Sequence, residues 1–393
     1  MSDHFETNAI HEQIERSMHQ EFSVPLYITS GYKFNDAEEV RALFAGEKEG
    51  NIYSRYSNPN VTELTNKIAS MEGTEAAWAT SSGMSAIFAT FLTFLSAGEH
   101  ILSCRSVFGA THQLFTKFLP KWNISHTYAE ITKPETWEDL IQENTKLIYV
   151  ETPSNPGIDL IDIEYLSTLA KKHNVLLVVD NCFATPYVQQ PARFGADLVI
   201  HSATKFLDGQ GRVLGGLIAG PKNLIDEIEA FARQTGPAMS PFNAWIISKS
   251  LETLAIRMDK HAENALKLAN YLEQHDEVLK VKYPFLDSHP QLAIAKKQMK
   301  NGGGLVTFEI KGGLVRGRSF MNNLKMISLV ANLGDVKTIA THSASSTHSK
   351  LTEEERLEVG ITPGLIRISV GLEHIEDIIG DIENAFLASV PKG

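Results

Sequence analysis

The chain is poor in cysteine and lacks long apolar runs, and both shortages exclude classes of protein. Only Cys104 and Cys182 occur among 393 residues, outside any Cys-x-x-Cys pattern. Neither a disulfide framework nor a thiolate metal site is therefore predicted. No stretch of the sequence reaches the ~18 consecutive apolar residues of a membrane span, and residues 1–20 carry charges throughout, unlike a signal peptide. We expect a cytoplasmic protein with no membrane partner.

Positive charge is also in deficit. The 36 Lys and Arg residues against 47 Asp and Glu residues give a net charge of -11. Because a protein that binds nucleic acid needs a basic surface, nucleic acid is not an expected partner. The length and the 43% of hydrophobic residues suit a globular enzyme of two or three domains.

Two motif-like stretches fail on their context. Gly209-Gln210-Gly211, followed by Gly215, is one residue out of register for a dinucleotide fingerprint and does not follow a strand. The stretch 341–348 has two histidines six residues apart with no carboxylate between them, which is a poor ligand set. We expect no metal, and we predict that this stretch is a polar loop of an active site.

Hydrophobic periodicity divides the chain into three parts. Residues 1–57 have weak periodicity interrupted by proline and glycine, which predicts an arm lying on a neighbouring subunit. From Asn60 a helical spacing ends at Gly73, and strands then alternate with helices as a parallel sheet requires. We predict a large domain over 58–250 and a smaller C-terminal α+β domain over 251–393. Predicted strands are 147–150, 175–179, 198–200 and 215–219, with a long helical stretch over about 241–275 and further apolar segments at 304–310, 327–333 and 365–370.

A lysine in the segment 201–211 is the main candidate for chemistry. Lys205 follows a predicted strand and has Ser202 and Thr204 beside it, while Asp180 closes the apolar run 175–179. Pyridoxal 5'-phosphate needs an imine-forming lysine, an acid beside its ring nitrogen and donors for its phosphate. Each feature alone has an ordinary structural explanation as a cap, a turn or a solvated side chain. Together they predict a site for this cofactor.

The stretch 79–86 completes that set. It is typical of a strand that turns into a helix, whose unpaired N–H groups can bind a phosphate, and Gly83 permits a close approach. The order of these elements is that of a doubly wound sheet, which binds ligands at the carboxyl ends of its strands.

Motifs spread over nearly the whole chain carry a family resemblance. They are Tyr53-Ser54-Arg55-Tyr56-Ser57-Asn58-Pro59, Glu151-Thr152-Pro153-Ser154-Asn155-Pro156, Val179-Asp180-Asn181, Ser202-Ala203-Thr204-Lys205 and Ile366-Arg367-Ile368-Ser369-Val370-Gly371-Leu372-Glu373. This set resembles the Cys/Met-metabolism family of pyridoxal phosphate enzymes, which contains cystathionine synthases and lyases, methionine γ-lyase and homoserine-ester sulfhydrylases. The resemblance implies an α/β fold of type I, aspartate aminotransferase-like, with a mostly parallel central sheet, helices on both faces and a smaller C-terminal α+β domain.

The resemblance also implies roles for individual residues. Tyr53 and Arg55 would reach the phosphate site of the partner subunit, so that active sites are shared within a dimer and dimers pair into a homotetramer. Arg367 would bind the α-carboxylate of the substrate, near Asn332, where relatives often have serine. The other expected cofactor contacts are Gly83, Met84, Ser202 and Thr204 at the phosphate, Asn155 near the phenolic oxygen of the ring, Asp180 at its nitrogen, and Lys205.

Phe108 departs from the family pattern. Many members, including the γ-lyases, have a tyrosine here that stacks on the cofactor ring and handles protons, whereas phenylalanine can only stack. A thiolate leaving group, with a thiol pKa of roughly 8.5, benefits from protonation, and a carboxylate near roughly 4.3 does not. Ala110 also replaces the cysteine of methionine γ-lyases. Phe108 therefore favours a substrate that loses succinate or acetate.

The expected reaction is a γ-replacement in methionine biosynthesis, in which O-succinyl-L-homoserine and hydrogen sulfide give L-homocysteine and succinate. Lys205 would act as the mobile base, and Asp180 would keep the ring nitrogen protonated. Arg105, three residues before Phe108, is a candidate to bind the succinyl carboxylate, with a purely structural arginine equally open. The alternatives are a cystathionine γ-synthase, an O-acetylhomoserine sulfhydrylase, a methionine or cystathionine γ-lyase, and a cofactor-holding protein without turnover.

Overall fold

The computed structural model describes residues 4–346, 349, 352–358 and 360–390, and the strands in this part of the chain form two sheets. The larger sheet has the order β1-β7-β6-β5-β4-β2-β3. Strands β2 to β6 run parallel to one another, and β7 runs antiparallel to its neighbours β1 and β6. The bounds are β1 Ala76–Thr80, β2 His100–Cys104, β3 Ser125–Ala129, β4 Thr145–Glu151, β5 Leu176–Asp180, β6 Leu198–Ser202 and β7 Gly216–Gly220.

The smaller sheet lies in the C-terminal third of the chain and has the order β10-β11-β12-β9-β8. Its strands pair antiparallel, apart from the short parallel pair of β10 with β11. The bounds are β8 Val278–Lys282, β9 Leu305–Ile310, β10 Ser328–Leu329, β11 Ile339–His342 and β12 Leu365–Ser369. The mostly parallel central sheet and the smaller second sheet confirm the predicted fold class.

The helices begin and end at residues that the sequence marks clearly. Asn58 caps α3 through a side-chain oxygen that accepts from the Asn60 N–H, Pro59 occupies the first turn, and Gly73 ends the helix with φ of 69°. The bounds are α1 Phe5–His11, α2 Ala37–Phe44, α3 Pro59–Glu72, α4 Gly83–Phe94, α5 Gly109–Gln113, α6 Ile163–His173, α7 Thr185–Val188, α8 Lys222–Thr235, α9 Pro241–Leu251, α10 Leu254–Glu273, α11 Leu292–Gln298, α12 Gly313–Asn323, α13 Glu353–Glu358 and α14 Ile375–Ser389. In the described chain no helix is both long and apolar enough to cross a membrane.

Most of the predicted elements are present. The four predicted strands of the larger sheet correspond to β4, β5, β6 and β7 within two residues at each end. The long helical stretch over 241–275 is instead two helices, α9 and α10, because Thr253 leaves helical geometry with φ of -113° and ψ of 10°. The arm contains the short helices α1 and α2. The domain boundaries at 57/58 and 250/251 stay predictions, and Thr347 and His348 of the predicted polar loop lie outside the described residues.

The core of the larger sheet fixes the site. The interior residues of β4, β5 and β6 are apolar and almost fully buried, as the strands of a parallel sheet covered on both faces must be. Polar residues follow these apolar runs at their carboxyl ends, where Glu151 and Asp180 are paired in register across β4 and β5. Ser202 ends β6 at the same edge. The chemistry of the chain is thus concentrated where a doubly wound sheet binds its ligands.

Candidate active site

A cavity of about 250 Å³ lies at the carboxyl ends of β4, β5 and β6. Most of the side chains that the sequence singles out converge on it. The predicted residues in its lining are Gly83, Met84, Phe108, Asn155, Asp180, Ser202, Thr204, Lys205, Asn332 and Arg367. Within the described chain, Tyr53, Arg55 and Arg105 lie outside that lining.

One end of the cavity is built to hold a phosphate. Ser82 and Ser85 form a reciprocal capping box at the start of α4, in which the Ser82 hydroxyl accepts from the Ser85 N–H. The N–H groups of Gly83 and Met84 remain for a ligand, and the helix dipole favours an anion there. An added Cβ at Gly83 would stand 2.6 Å from the Ser202 Cβ, so only glycine allows this approach.

Ser202 and Thr204 also line the cavity, and the Ser202 side chain lies against Gly83. Thr204 Oγ1 accepts from the Gly215 N–H at 3.2 Å and donates to the Gly215 carbonyl oxygen at 3.5 Å, a long bond that a phosphate oxygen can replace. Backbone N–H groups and neutral hydroxyls match the oxygens of a phosphate dianion. This donor set fits the phosphate of pyridoxal phosphate.

Asp180 is held as an acceptor at the end of β5. Its Oδ1 accepts from the Cys182 N–H at 3.0 Å, and its Oδ2 accepts from the Tyr149 hydroxyl at 3.1 Å. Burial raises the pKa of Asp180, while the Cys182 N–H, the charge of His201 and the Tyr149 hydroxyl oppose that rise. A carboxylate with such support can pair with a protonated ring nitrogen.

Lys205 is placed for imine chemistry and proton transfer. Burial lowers the pKa of its amine, and the nearby charge of Arg367 acts in the same direction, while Cys182 opposes them. A lower pKa increases the fraction of neutral amine, which is the form that attacks a carbonyl or accepts a proton. The amine contacts the side-chain oxygen of Asn332.

Arg367 reaches the cavity from β12 in the smaller sheet. Its Nη1 donates to Asn155 Oδ1 at 2.9 Å, and its Nη2 donates to the Asn332 carbonyl oxygen at 3.3 Å. Burial lowers the pKa of the guanidinium to about 10. A buried guanidinium held by neutral oxygens is suited to bind a carboxylate in two-point fashion.

Glu151 and Tyr149 also lie at this site, although neither was predicted from the sequence to have a role in it. Glu151 lines the cavity, and its Oε1 accepts from the backbone N–H of Phe108 at 2.7 Å. The Tyr149 hydroxyl lies 3.4 Å from the same oxygen. One signal was available, because Glu151 follows an apolar strand just as Asp180 does.

In their own chain Tyr53 is exposed and Arg55 is half-buried. Tyr53 is 43% exposed. The Arg55 guanidinium lies 5.5 Å from the Tyr53 ring centre and 4.8 Å from the Tyr56 ring centre, and it donates to the Arg233 carbonyl oxygen. The predicted delivery of Tyr53 and Arg55 to a partner subunit is consistent with this position and stays a prediction.

Comparison with known proteins agrees with this geometry. A family model described as "Cys/Met metabolism PLP-dependent enzyme" matches residues 6–387. An O-succinylhomoserine sulfhydrylase of Pseudomonas aeruginosa is 44% identical over 98% of this chain and 95% of its own. An L-methionine γ-lyase of Fusobacterium nucleatum is 43% identical over 96% of each chain.

Solved structures give the same result. A Campylobacter jejuni protein described as an O-acetylhomoserine (thiol)-lyase has a TM-score of 0.93 and 34% identity, over 98% of this chain and 99% of its own. It contains N'-pyridoxyl-lysine-5'-monophosphate, a lysine joined to the cofactor. The metB protein of Corynebacterium glutamicum has a TM-score of 0.92 and 35% identity, over 98% of both chains. Pyridoxal 5'-phosphate is therefore the cofactor of this chain, and the donors that line the cavity fit it.

Proposed function

The chain belongs to the Cys/Met-metabolism family of pyridoxal phosphate-dependent enzymes, and we propose that it converts O-succinyl-L-homoserine and hydrogen sulfide to L-homocysteine and succinate. The observation that carries this choice is Phe108 in the lining of the cavity. A phenyl ring can cover the cofactor but cannot give a proton to a departing thiolate. A departing carboxylate needs no such proton at neutral pH.

Each residue of the site has its own role in the proposed reaction. When bound, pyridoxal phosphate supplies an electron sink for the carbons of the substrate amino acid. Lys205 is the proposed base that takes the Cα proton and returns protons after sulfide has replaced succinate at Cγ. Asp180 holds the proton on the ring nitrogen. The N–H groups of Gly83 and Met84, with the hydroxyls of Ser202 and Thr204, keep the phosphate in place.

Substrate orientation is assigned to Arg367 and Asn332 from the region of the smaller sheet, with Asn155 after β4 in support. Arg367 would bind the α-carboxylate of the substrate, and Asn155, which accepts from Arg367 Nη1, would hold the guanidinium beside the cofactor. Asn332 would donate a second hydrogen bond from its side-chain nitrogen, because its oxygen already contacts the Lys205 amine. This arrangement points Cα of the substrate towards Lys205.

The succinyl carboxylate still needs a cationic partner. Arg105 is the proposed partner because it lies three residues before Phe108, although it lies outside the cavity lining within the described chain. Arg105→Ala should reduce kcat/KM for the succinyl ester more than for the acetyl ester. An equal reduction for both esters would remove Arg105 from this role.

We propose that the working enzyme is a cytoplasmic homotetramer in which each dimer shares its active sites. The exposed Tyr53 supports this arrangement, since its ring can meet another subunit.

One competition experiment tests the proposed reaction. Purified protein loaded with pyridoxal phosphate receives O-succinylhomoserine with equal concentrations of sulfide and cysteine, and homocysteine is quantified against cystathionine. Predominant homocysteine supports the sulfhydrylase, and repeating the assay with O-acetylhomoserine then ranks the two esters. Predominant cystathionine would instead make the protein a cystathionine γ-synthase.

A γ-lyase is the second candidate, because the Fusobacterium nucleatum methionine γ-lyase is nearly as similar as the sulfhydrylase, at 43% against 44% identity. A lyase would release 2-oxobutyrate from methionine or cystathionine without added thiol. We expect this release to be slow relative to homocysteine formation, since Phe108 offers no proton to the leaving sulfur.

A further inference from the structure

Glu151, which is buried, and Asp180, which is half-buried, form a carboxyl pair at the wall of the cavity. They lie in register on neighbouring parallel strands, both line the cavity, and Glu151 is only 6% exposed. One hydroxyl joins them, since Tyr149 Oη lies 3.1 Å from Asp180 Oδ2 and 3.4 Å from Glu151 Oε1. Two carboxylates in a low-dielectric site strongly disfavour double ionisation.

The hydrogen-bond donors are divided unequally between the two. The Tyr149 hydroxyl has one proton to donate, and the shorter distance assigns it to Asp180. Asp180 also accepts from the Cys182 N–H at 3.0 Å. Glu151 keeps one short donor, the Phe108 N–H at 2.7 Å. The better-supported negative charge is therefore that of Asp180, and a shared proton belongs on Glu151.

The electrostatics of the surrounding elements point the same way. Burial, followed by the charge of Asp180, raises the pKa of Glu151 well above its ordinary value, against the opposing Phe108 N–H and Tyr149 hydroxyl. The charge of His201 favours ionised Asp180. The titratable groups that face the pair are Cys104 on β2, Tyr149 on β4, Cys182 after β5 and His201 on β6, with Lys205 and Arg367 across the cavity.

We propose that Glu151 is a positioning residue that stays protonated in the working enzyme, so that Asp180 alone carries the negative charge facing the ring nitrogen of the cofactor. Glu151 at the same time fixes Phe108 over the cavity through its backbone N–H. This role rests on the cofactor and not on the choice of homoserine ester, so the substrate assays and the tests below fail independently.

Infrared difference spectroscopy tests the protonation state directly. A protonated carboxyl has a carbonyl stretch that a carboxylate lacks. The spectrum of wild-type holoenzyme minus Glu151→Gln at neutral pH should contain this band. The exposed Glu164→Gln, with a side chain that is 63% accessible, is the matched control and should show no such band. Absence of this band from the difference spectrum of wild type minus Glu151→Gln would overturn the proposal.

Cofactor affinity separates the two parts of the role. Glutamine imitates a neutral carboxyl and can still accept from the Phe108 N–H, so Glu151→Gln should leave the Kd for pyridoxal phosphate within about threefold. Glu151→Ala leaves that N–H without its partner and should weaken binding by about tenfold. Equal weakening by both variants would show that Glu151 acts as an anion and would contradict the proposal.

The thermal stability of the apoprotein gives a third readout, which also shows whether the variants fold. A carboxyl whose folded pKa is raised stabilises the fold below its unfolded pKa, and this contribution is lost as the pH rises through the folded value. The Tm of wild-type apoprotein should therefore fall more steeply above about pH 4.5 than the Tm of Glu151→Gln. Parallel pH profiles would exclude a proton on buried Glu151.

Discussion

Gly334 lies directly against the backbone of Lys205. A Cβ at Gly334 would stand 2.8 Å from the Lys205 carbonyl carbon and 3.1 Å from its Cα. The φ of Gly334 is +79°, in the left-handed region, and its N–H donates to Ser369 Oγ at 2.8 Å. Glycine thus lets the loop that carries Asn332 pack onto the segment that carries Lys205.

Gly334→Ala should displace this loop from Lys205. The left-handed conformation alone costs about 1–3 kcal/mol for a residue with a Cβ, and the clash with Lys205 adds to that cost. We expect a lower Tm and a lower kcat for homoserine-ester turnover. Gly98→Ala is the matched control, because Gly98 has φ of +93° with no atom within 4 Å of the added Cβ. Equal loss of kcat in both variants would contradict a specific effect on Lys205.

Lys205→Ala should abolish turnover and the visible absorbance of the lysine-bound cofactor, because among the described residues Lys205 is the lysine that lines the cavity. Loss of a general base costs typically 10²–10⁴-fold even without the covalent role. Absorbance titration with pyridoxal phosphate is the measurement. Lys222→Ala, at a side chain that is 69% accessible, should retain both properties. If Lys205→Ala keeps the absorbance, another lysine holds the cofactor.

Arg367→Ala should lower kcat/KM by about a hundredfold or more, because a buried charge-to-charge hydrogen bond contributes about 2–5 kcal/mol. Arg367→Lys keeps the charge but loses the two-point geometry, so its kcat/KM should lie between those of Arg367→Ala and wild type. Steady-state kinetics measure both, with cofactor absorbance as the folding control. For a substrate analogue whose α-carboxylate is amidated, replacing Arg367 should change kcat/KM little, because the analogue has no carboxylate to bind. An equal loss for this analogue and the normal ester would refute the carboxylate role.

Phe108→Tyr should raise elimination from thioether substrates, because the added hydroxyl can protonate a leaving thiolate. A well-placed proton donor at the leaving group typically raises the rate 10²–10⁴-fold. The new hydroxyl is not optimally placed, so the elimination rate should rise by about 10²-fold or less. Release of 2-oxobutyrate from cystathionine is the measurement. Phe118→Tyr, outside the cavity lining of the described chain, is the control. Unchanged lyase activity in Phe108→Tyr would weaken the leaving-group argument.

Mixed dimers test whether active sites are shared. Lys205→Ala and Arg55→Ala subunits should each be impaired alone. In a hybrid dimer one site would combine an intact Lys205 from one subunit with an intact Arg55 from the other. Mixing the two variants after mild dissociation should therefore restore turnover and cofactor absorbance in proportion to the fraction of hybrid dimers. No recovery in a verified hybrid would place Arg55 outside the partner's site.

Local sequence was sufficient for the features that depend on neighbours in the chain. The apolar run that ends in Asp180 and the hydroxyls beside Lys205 predicted both the strands and the sheet edge at which the cavity lies. The relation of Glu151 to Asp180 depends on register between two strands, which periodicity within one strand does not determine. The break between α9 and α10 was also missed, because Thr253 carries no glycine or proline signal.

The position of Asn332 over Lys205 was equally beyond sequence reasoning. It depends on the approach of a loop from the smaller sheet to a segment 127 residues away in the chain. Only Gly334 hinted at an unusual backbone there, and a glycine alone does not identify the surface that it approaches.

Arg367 and Asn332 come from the region of the smaller sheet, whereas the groups that fit the cofactor come from the larger sheet. The two sets of residues can therefore change separately in evolution. Substitutions around β12 and its loops can change which amino acid enters, while Asp180 at the end of β5 and Lys205 after β6 remain untouched. Relatives named for sulfide addition and for methionine cleavage align with this chain over nearly its full length. Divergence of reaction between such relatives would then need only a few exchanged side chains, on this wall and at Phe108 opposite the smaller sheet.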